Sequence, residues 1–306
     1  MISVVIPVYN NASSVEELAR RIDAALQPNP YEAIFVDDGS SDDSLARLKR
    51  IASANRSAKV ISLARNFGQH PAISAGFEHA RGDVVVLMDA DLQDRPEDIP
   101  RVVEKLRDDV DVVYTCKARA AEEVAVRISS ALYHYIFSRI TRSRRFAEIG
   151  TFRAFSRKFL AALLLYRERN ILYGPLMVYM GYKSAIVEVV RDRRPSGGSG
   201  YTFGKRLALA LNSLISYTDI PHRLSLYIGL SFFAGSVLYG AAVLVQYLMF
   251  GRSLPEGFTL ILLVLTLMLG SLMISLGIIG SYVFRVYQEV LQRPRYLIAE
   301  KVNLAE

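Results

Sequence analysis

Blocks of apolar and polar positions alternate along the chain up to Tyr114. Short runs rich in Val and Ile predict buried strands, and segments with an apolar residue every three or four positions predict helices. The predicted strands are Ile2–Ile6, Ala33–Val36, Lys59–Leu63, Val84–Met88 and Val110–Tyr114. The predicted helices are Ser13–Leu26, Ser44–Ala54, Ala72–Ala80, Pro96–Leu106, Ala125–Ile140 and Arg157–Leu165. This alternation is typical of an α/β domain, in which helices cover both faces of a mostly parallel sheet.

Polar turns follow three of the predicted strands, after Ile6, Val36 and Met88. Ligands of such sheets bind beyond the carboxyl ends of the strands, so we expect the three turns to converge on one crevice. The third turn begins with Asp89-Ala90-Asp91. Two carboxylates one residue apart suit a hard divalent cation that bridges a diphosphate, and Gln93 adds a neutral oxygen. The turn therefore predicts a site for Mg²⁺ or Mn²⁺, although paired acids also occur in ordinary solvated loops.

Two long apolar stretches, residues 224–250 and 258–284, follow the α/β part. Neither contains a charged residue, and each is longer than the roughly 20 residues that span a bilayer. Basic residues flank the pair, so the positive-inside bias places both flanks, the α/β domain and both termini in the cytoplasm. Residues 201–222 are apolar on one side and basic near their start. This pattern predicts an amphipathic helix, either in the membrane interface or packed on the soluble domain.

These patterns divide the chain into a domain at 1–200, the amphipathic helix at 201–222, a transmembrane hairpin at 223–285 and a tail at 286–306. The formal net charge is +7, and the basic clusters precede the apolar stretches, which favours anionic lipid or a phosphate-bearing substrate over nucleic acid. The single cysteine, Cys116, excludes an intramolecular disulfide and a multi-cysteine metal site. No Gly-x-Gly-x-x-Gly turn follows a strand, which disfavours a dinucleotide-dependent oxidoreductase.

Four motifs occur in order and at close spacing: Ser3–Asn10 (SVVIPVYN), Val36–Asp42 (VDDGSSD), Asn66–Gln69 (NFGQ) and Asp89–Asp94 (DADLQD). Together they resemble the family 2 glycosyltransferases of the GT-A fold. The subgroup they resemble is the polyprenyl-phosphate glycosyltransferases, which include dolichol-phosphate mannose synthases and bacterial undecaprenyl-phosphate sugar transferases. Bacterial members also end in two membrane spans and a tail similar to Arg293–Tyr296, so the resemblance covers almost the whole chain.

This resemblance implies inverting transfer of a sugar from a nucleotide-diphosphate sugar to undecaprenyl phosphate at the cytoplasmic face of the inner membrane. It also implies a UDP-linked donor, Mg²⁺ or Mn²⁺ as cofactor, and a homotetramer. The family's nucleotide-sugar positions correspond to Pro7, Tyr9, Asn11, Val36, Asp38, Asp89, Ala90, Lys117 and Arg194. Its metal positions correspond to Asp89, Asp91 and Gln93, and its catalytic positions to Asp91 and Glu148.

A polyprenyl phosphate acceptor is a phosphate monoester, whose second pKa of about 6 leaves it largely ionised at pH 7. A strong general base is then not essential, and Glu148 is expected either to orient the acceptor or to act as the base. Cations must offset the acceptor's charge beside the diphosphate. The arginines available for this are Arg119, Arg127, Arg142, Arg144 and Arg145.

Three positions depart from the family's pattern. Asn11 stands where the family has a glutamate, and Gly197–Tyr201 lacks a lysine that Lys205 or Arg206 would have to replace. Glu148 stands near the usual aspartate. These departures keep a non-catalytic membrane scaffold of the same fold as an alternative. A processive polysaccharide synthase is a second alternative, which is disfavoured because the chain has no Trp for the Gln-x-x-Arg-Trp motif of those enzymes.

Overall fold

A computed structural model describes residues 1–106, 109–117, 149–169, 171–190, 192 and 257–304, with isolated positions between 227 and 249. The predicted helix Ala125–Ile140, the predicted amphipathic helix at 201–222 and most of the predicted span at 224–250 lie outside these residues. The positions that are described between 227 and 249 are helical.

Eight strands of the described residues form one sheet. They are β1 (Ile2–Val8), β2 (Tyr31–Asp37), β3 (Ala58–Leu63), β4 (Val84–Leu87), β5 (Val112–Lys117), β6 (Ile149–Ser156), β7 (Ser184–Val189) and β8 (Ile298–Val302). Their order across the sheet is β7-β5-β6-β4-β1-β2-β3-β8. The strands β1 to β5 confirm the five predicted strands to within two residues at most ends.

The α-helices with described bounds are α1 (Val15–Leu26), α2 (Ser44–Ala54), α3 (Gln69–His79), α4 (Ile99–Val103), α5 (Arg157–Leu163), α6 (Tyr173–Tyr179) and α7 (Phe258–Val290). The prediction of one helix over Pro96–Leu106 is confirmed only in part. A 3₁₀ turn at Pro96–Asp98 and the single turn of α4 occupy this stretch instead. Pro100 has no N–H for the bond to residue 96, so one continuous α-helix is disfavoured there.

The four strands β1 to β4 are parallel to one another, and antiparallel pairs occur on both sides of them. β1 pairs in parallel with β2 and β4, and β2 pairs in parallel with β3. β6 runs antiparallel to β4 and β5, β7 runs parallel to β5, and β8 runs antiparallel to β3. The apolar pattern predicts none of β6, β7 and β8. Most side chains of β7 and β8 are not buried, and charged residues interrupt both strands, Glu188 in β7 and Glu300 and Lys301 in β8.

Both faces of the sheet are covered, which explains the continuous apolar runs of its central strands. Val4 and Ile6 of β1 lie in a core cluster with α1, α2 and α4. Val5 lies in the cluster on the other face, with α3, α5 and α6. α3 approaches β1 closely at Gly76, where an added Cβ would overlap the Val5 side chain. The α/β prediction is thus confirmed.

The chain divides into two compact units. The first contains Met1–Gly200 and Pro294–Glu306, and the second contains Tyr201–Arg293. Within the second unit, α7 runs to Val290, six residues beyond the predicted end of the second span. Its segment Met268–Val290 is long and apolar enough to cross a membrane, and it is the one such segment within the described residues.

The C-terminal residues form part of the first unit. β8 adds to the free edge of β3, and the Ala64 N–H donates to the carbonyl oxygen of Leu297 at 2.9 Å. The hydroxyl of Tyr296 donates to the Glu78 carboxylate at 2.6 Å. The Asn303 side chain donates to two backbone carbonyls, at 2.6 and 2.9 Å. Residues 294–304 are therefore an integral part of the sheet domain.

Candidate active site

The turns after β1 and β2 are hydrogen-bonded to each other. Asn10 has φ 54°, a left-handed conformation that Asn tolerates, and its N–H donates to Ser40 Oγ at 3.0 Å. The N–H of Asn11 donates to Ser44 Oγ at 2.8 Å, and Asn11 Oδ1 accepts the N–H of Tyr9 at 3.2 Å. These bonds fix the backbone around Tyr9, whose side chain is left exposed at the carboxyl edge of the sheet.

Asp38 is buried and braces the neighbouring loop. Its two carboxylate oxygens accept the N–H groups of Phe67 and Gly68, at 2.7 and 2.8 Å. Burial raises the pKa of Asp38, and the two amide bonds oppose that rise. Gly39 has φ 66°, and an added Cβ there would lie 2.5 Å from the carbonyl carbon of Arg65. The loop between β3 and α3 is therefore held tightly against the end of β2.

Asp89 and Ala90 lie between the starts of two helices. Gln69, the first residue of α3, donates to Asp89 Oδ1 at 2.9 Å. Ser14, which precedes α1, donates from Oγ to the carbonyl oxygen of Ala90 at 2.7 Å. Helix N-termini carry unpaired N–H groups and a partial positive charge, and both favour a bound phosphate. The acidic turn thus stands where an anion and a cation can be held side by side.

The turn after Asp91 is tied to the segment that follows β7. The N–H of Gln93 donates to Asp91 Oδ1 at 3.1 Å. The carbonyl oxygen of Gln93 accepts the N–H of Asp192 at 3.0 Å. The Asp192 carboxylate in turn accepts from Arg95 Nε at 3.0 Å. The acidic turn is consequently held from two distant parts of the chain.

A buried arginine lies beneath the acidic turn. Arg153 of β6 is 6% exposed, and its guanidinium donates to the carbonyls of Gly150 and Thr151 at 2.8 and 3.0 Å. Burial lowers the pKa of Arg153, and the nearby Asp89 and Asp94 carboxylates oppose that shift. No role was predicted for this residue from the sequence. The signal was present in the Phe152-Arg153 pair, which follows the position proposed for the catalytic acid.

A neutral histidine borders the same region. Burial, with a smaller contribution from the charge of Arg153, lowers the pKa of His70 to about 4. Its ring lies 6.0 Å from that of Tyr173, whose hydroxyl shares a 2.7 Å hydrogen bond with Ser74. Within the described residues, Nδ1 of His70 has no hydrogen-bond partner. The imidazole is therefore uncharged at neutral pH.

Residues 3–164 match the family model described as glycosyl transferase family 2, and this segment is more than half of the chain. It includes all of the strand-end turns that form the acidic site. The chain belongs to glycosyltransferase family 2. The resemblance inferred from the four motifs is therefore confirmed.

Relatives of this glycosyltransferase match over almost their full length. One is the undecaprenyl-phosphate 4-deoxy-4-formamido-L-arabinose transferase of Klebsiella pneumoniae, 35% identical over 310 residues, covering 100% of this chain and 94% of the relative. Another is the bactoprenol glucosyl transferase of Shigella phage SfX, 31% identical over 303 residues, covering 98% of this chain and 99% of the relative. The names of both relatives describe transfer to a polyprenyl carrier.

Solved structures confirm the fold of the glycosyltransferase. Glucosyl-3-phosphoglycerate synthase from Mycobacterium tuberculosis, in complex with Mn²⁺ and UDP-glucose, superposes with a TM-score of 0.52. The match covers 71% of this chain and 77% of that one, at 18% sequence identity. The likeness supports the GT-A architecture of the sheet domain.

The donor set of the acidic turn fits a magnesium or manganese ion that is shared with a substrate. Within the described residues, no three His, Cys, Asp or Glu side chains come together as a metal site. Asp89 and Asp91 are both partly exposed. Mg²⁺ in particular often takes only one or two carboxylates and completes its shell with phosphate oxygens and water. Two aspartates beside a diphosphate meet that requirement.

The structure brings most of the predicted nucleotide positions to one edge. Pro7 and Val36 are buried neighbours at the ends of β1 and β2, and Ala90 is buried beside them in the acidic turn. Lys117 is the last residue of β5. Because β6 runs antiparallel to both β4 and β5, β5 ends at the same edge of the sheet as β4. The predicted positions that lie outside the described residues are Glu148, Arg119, Arg127, Arg142, Arg144, Arg145 and Arg194.

Proposed function

We propose that this glycosyltransferase moves a sugar from a nucleotide-diphosphate sugar, UDP-linked, to undecaprenyl phosphate at the cytoplasmic face of the inner membrane. The observation that supports this most strongly is the Asp89–Asp91 turn, held between the N-termini of α1 and α3. It occurs in a chain whose relatives, named for undecaprenyl phosphate and bactoprenol, match over almost their whole length. The carboxyl edge of the sheet would thus bind the diphosphate of the donor, and the acceptor would be a lipid phosphate.

Donor binding is assigned to the loops at the carboxyl edge of the sheet. Asp89 and Asp91 would hold Mg²⁺ or Mn²⁺, with Gln93 as a further ligand, and the ion would offset charge on the diphosphate leaving group. Tyr9 and Asn11 line the first turn, beside the ends of β1 and β2 where Pro7 and Val36 lie. The Asp38 carboxylate already accepts two backbone N–H groups of the loop between β3 and α3. We therefore propose that Asp38 holds this loop in place at the nucleotide site.

The chemical step is a single displacement at the anomeric carbon with inversion. An oxygen of the acceptor phosphate forms a bond to this carbon while the bond to the nucleoside diphosphate breaks. The acceptor monoester is already largely ionised at pH 7, so no proton has to be removed in the step. In this step Glu148 would orient the acceptor phosphate. Lys117 and Arg194 would offset the negative charge of the diphosphate.

The lipid acceptor requires the protein to lie at a membrane. Met268–Val290 can cross a bilayer, and its apolar window is not buried within the chain. We assign a second span to residues 224–250 and a tetrameric assembly to the full protein, with the sheet domain in the cytoplasm. The arginines between Arg119 and Arg145 would then offset the charge of the acceptor phosphate.

A donor screen tests the proposal. Full-length protein in detergent is incubated with undecaprenyl phosphate, Mn²⁺ and a panel of radiolabelled UDP- and GDP-sugars, and label in the lipid phase is counted. We expect label from at least one UDP-sugar, and none when undecaprenyl phosphate is omitted or EDTA is added. Transfer from none of the donors would support the non-catalytic scaffold, and a growing polymer instead of a single lipid-linked sugar would support the synthase.

A further inference from the structure

The turn that carries Asp91 contains a leucine in a left-handed conformation. Leu92 has φ 62°, a region that residues other than Gly, Asn and Asp seldom adopt. A residue keeps such a conformation only where its surroundings determine it. The contacts on either side of Leu92 therefore control the direction of the Asp91 carboxylate.

Three contacts hold this turn. The Leu92 side chain is 7% exposed and packs in the core cluster beneath α1. On the next residue, the N–H of Gln93 donates to Asp91 Oδ1 at 3.1 Å. The carbonyl oxygen of Gln93 accepts the N–H of Asp192 at 3.0 Å. A residue from beyond β7 thus binds the carbonyl group of Gln93, the same residue whose N–H donates to Asp91.

The Asp192 side chain is itself anchored by arginines. Its carboxylate accepts from Arg95 Nε at 3.0 Å and lies 3.9 Å from Nη2 of Arg21. Arg21 is 17% exposed and pairs with both carboxylate oxygens of Glu97, at 2.6 and 2.8 Å. One exposed ion pair contributes little, but these four charges form a network around a largely buried guanidinium. The network fixes Asp192 to the stretch between the acidic turn and α4.

We propose that Asp192 is a positioning residue for the metal-binding turn. Its backbone N–H and its arginine-bound carboxylate together hold Gln93 in place, and the N–H of Gln93 in turn holds the Asp91 carboxylate. Asp192 acts through Gln93 and needs no contact with substrate. The inference rests on the proposed function, because it assigns Asp192 a role in binding the metal and diphosphate at that site.

Loss of the anchor should weaken metal binding without abolishing it. Partners that orient a ligating carboxylate typically contribute about tenfold or more to metal affinity. We therefore expect Asp192→Asn and Arg95→Gln each to raise the Kd for Mn²⁺ about tenfold in the presence of saturating UDP. Because both changes break the same ion pair, the double variant should add little to either single variant. Asp192→Glu, which keeps the charge, should recover part of the affinity.

The experiment titrates full-length protein in detergent with Mn²⁺ at saturating UDP and follows free Mn²⁺ by electron paramagnetic resonance. The melting temperature of each sample is measured in parallel. Glu17→Gln is the matched control, since it breaks the exposed Glu17–Arg20 pair of α1, which is 2.7 Å long. This control should bind Mn²⁺ like the wild-type protein.

The outcomes separate the two proposals. Wild-type Mn²⁺ affinity in both Asp192→Asn and Arg95→Gln would overturn the role of Asp192 and leave the proposed function intact. A lowered melting temperature with unchanged affinity would show a merely structural contact, and this too would overturn it. A wild-type protein that binds no Mn²⁺ with UDP would overturn the proposed function, and the inference with it.

Discussion

His70 is a buried imidazole whose pKa is lowered to about 4, mainly by burial and also by the charge of Arg153. In the unfolded chain a histidine takes up a proton near its ordinary pKa of 6.5. Between these two values the unfolded state binds more protons than the folded state. Stability contributed by the neutral ring is therefore complete above pH 6.5 and is lost as the pH falls toward 4.

We predict that His70→Gln weakens the acid sensitivity of the protein. Proton linkage at this group should cost the wild-type protein about 2 kcal/mol of unfolding free energy between pH 7 and pH 5, and glutamine has no such linkage. The check is the drop in melting temperature between these two pH values, measured for both proteins. Carboxylates titrate in both proteins, so only the difference between the two drops counts. Equal drops would refute the prediction.

Arg153 is a buried cation close enough to the acidic turn to feel the charges of Asp89 and Asp94. Its replacement by Met removes a buried cation near Asp89 and Asp94, and it also removes the donors to two backbone carbonyls. Breaking a buried ion network in this way typically costs about 3 kcal/mol. We predict a clear fall in the melting temperature of Arg153→Met. Arg167→Met, at an exposed position, is the control and should melt like the wild-type protein.

Most site residues could be predicted from the sequence because they follow strand ends. Asp89 and Asp91 come directly after β4, and the sheet topology alone places them beside the turns of β1 and β2. Asp192 could not be predicted in the same way. Its partners Arg95 and Gln93 are remote in sequence, and no local pattern marks a contact of this kind. Arg153 was missed because β6, the strand that carries it, was not predicted.

At the scale of the elements, burial decides what a sequence shows. β1 to β4 are covered on both faces and appear as apolar runs, so their order and helix alternation could be predicted. β7 and β8 lie at the two edges of the sheet with most of their side chains not buried, and charged residues interrupt their short apolar stretches. Edge strands are determined by backbone pairing with a neighbour, which sequence periodicity does not report.

The packing of α3 on β1 gives a prediction at this scale. In Gly76→Ala the new Cβ would overlap the Val5 side chain, which is fully buried and branched at Cβ. Overpacking of this kind costs about 2 kcal/mol, and the better helix propensity of Ala recovers about 1 kcal/mol. We expect a lower melting temperature.

Gly174→Ala is the matched control for this substitution. Gly174 lies in α6, and an added Cβ would meet no atom within 4 Å. This variant should melt at or slightly above the wild-type temperature. If Gly76→Ala were as stable as Gly174→Ala, the contact between α3 and β1 would be looser than described.

At the scale of the whole molecule, hydropathy predicted a membrane part that follows the α/β domain. The segment after Gly200 and before Pro294 is a separate unit, and it contains α7 with its membrane-length apolar stretch. The return of residues 294–304 to the sheet was not predicted. The pairing of β8 with β3 and the bond from Tyr296 to Glu78 show it in the structure.

The full chain is expected to couple a metal-bound nucleotide-sugar to a lipid acceptor. This reaction requires above all that Asp91 helps to hold the ion against the diphosphate. Asp91→Asn keeps the size of the side chain and removes its charge. Loss of that electrostatic support should reduce turnover at least about a hundredfold. Asp109→Asn is the same chemical change at an exposed position ahead of β5, and it serves as the control.

The most direct test measures Mn²⁺-dependent transfer of radiolabelled sugar to undecaprenyl phosphate by wild-type protein, Asp91→Asn and Asp109→Asn, with the donor identified in the screen. We predict that wild-type protein and Asp109→Asn transfer at similar rates, and that Asp91→Asn is slower by about two orders of magnitude or more at every Mn²⁺ concentration. Transfer by Asp91→Asn at the wild-type rate would contradict the central claim.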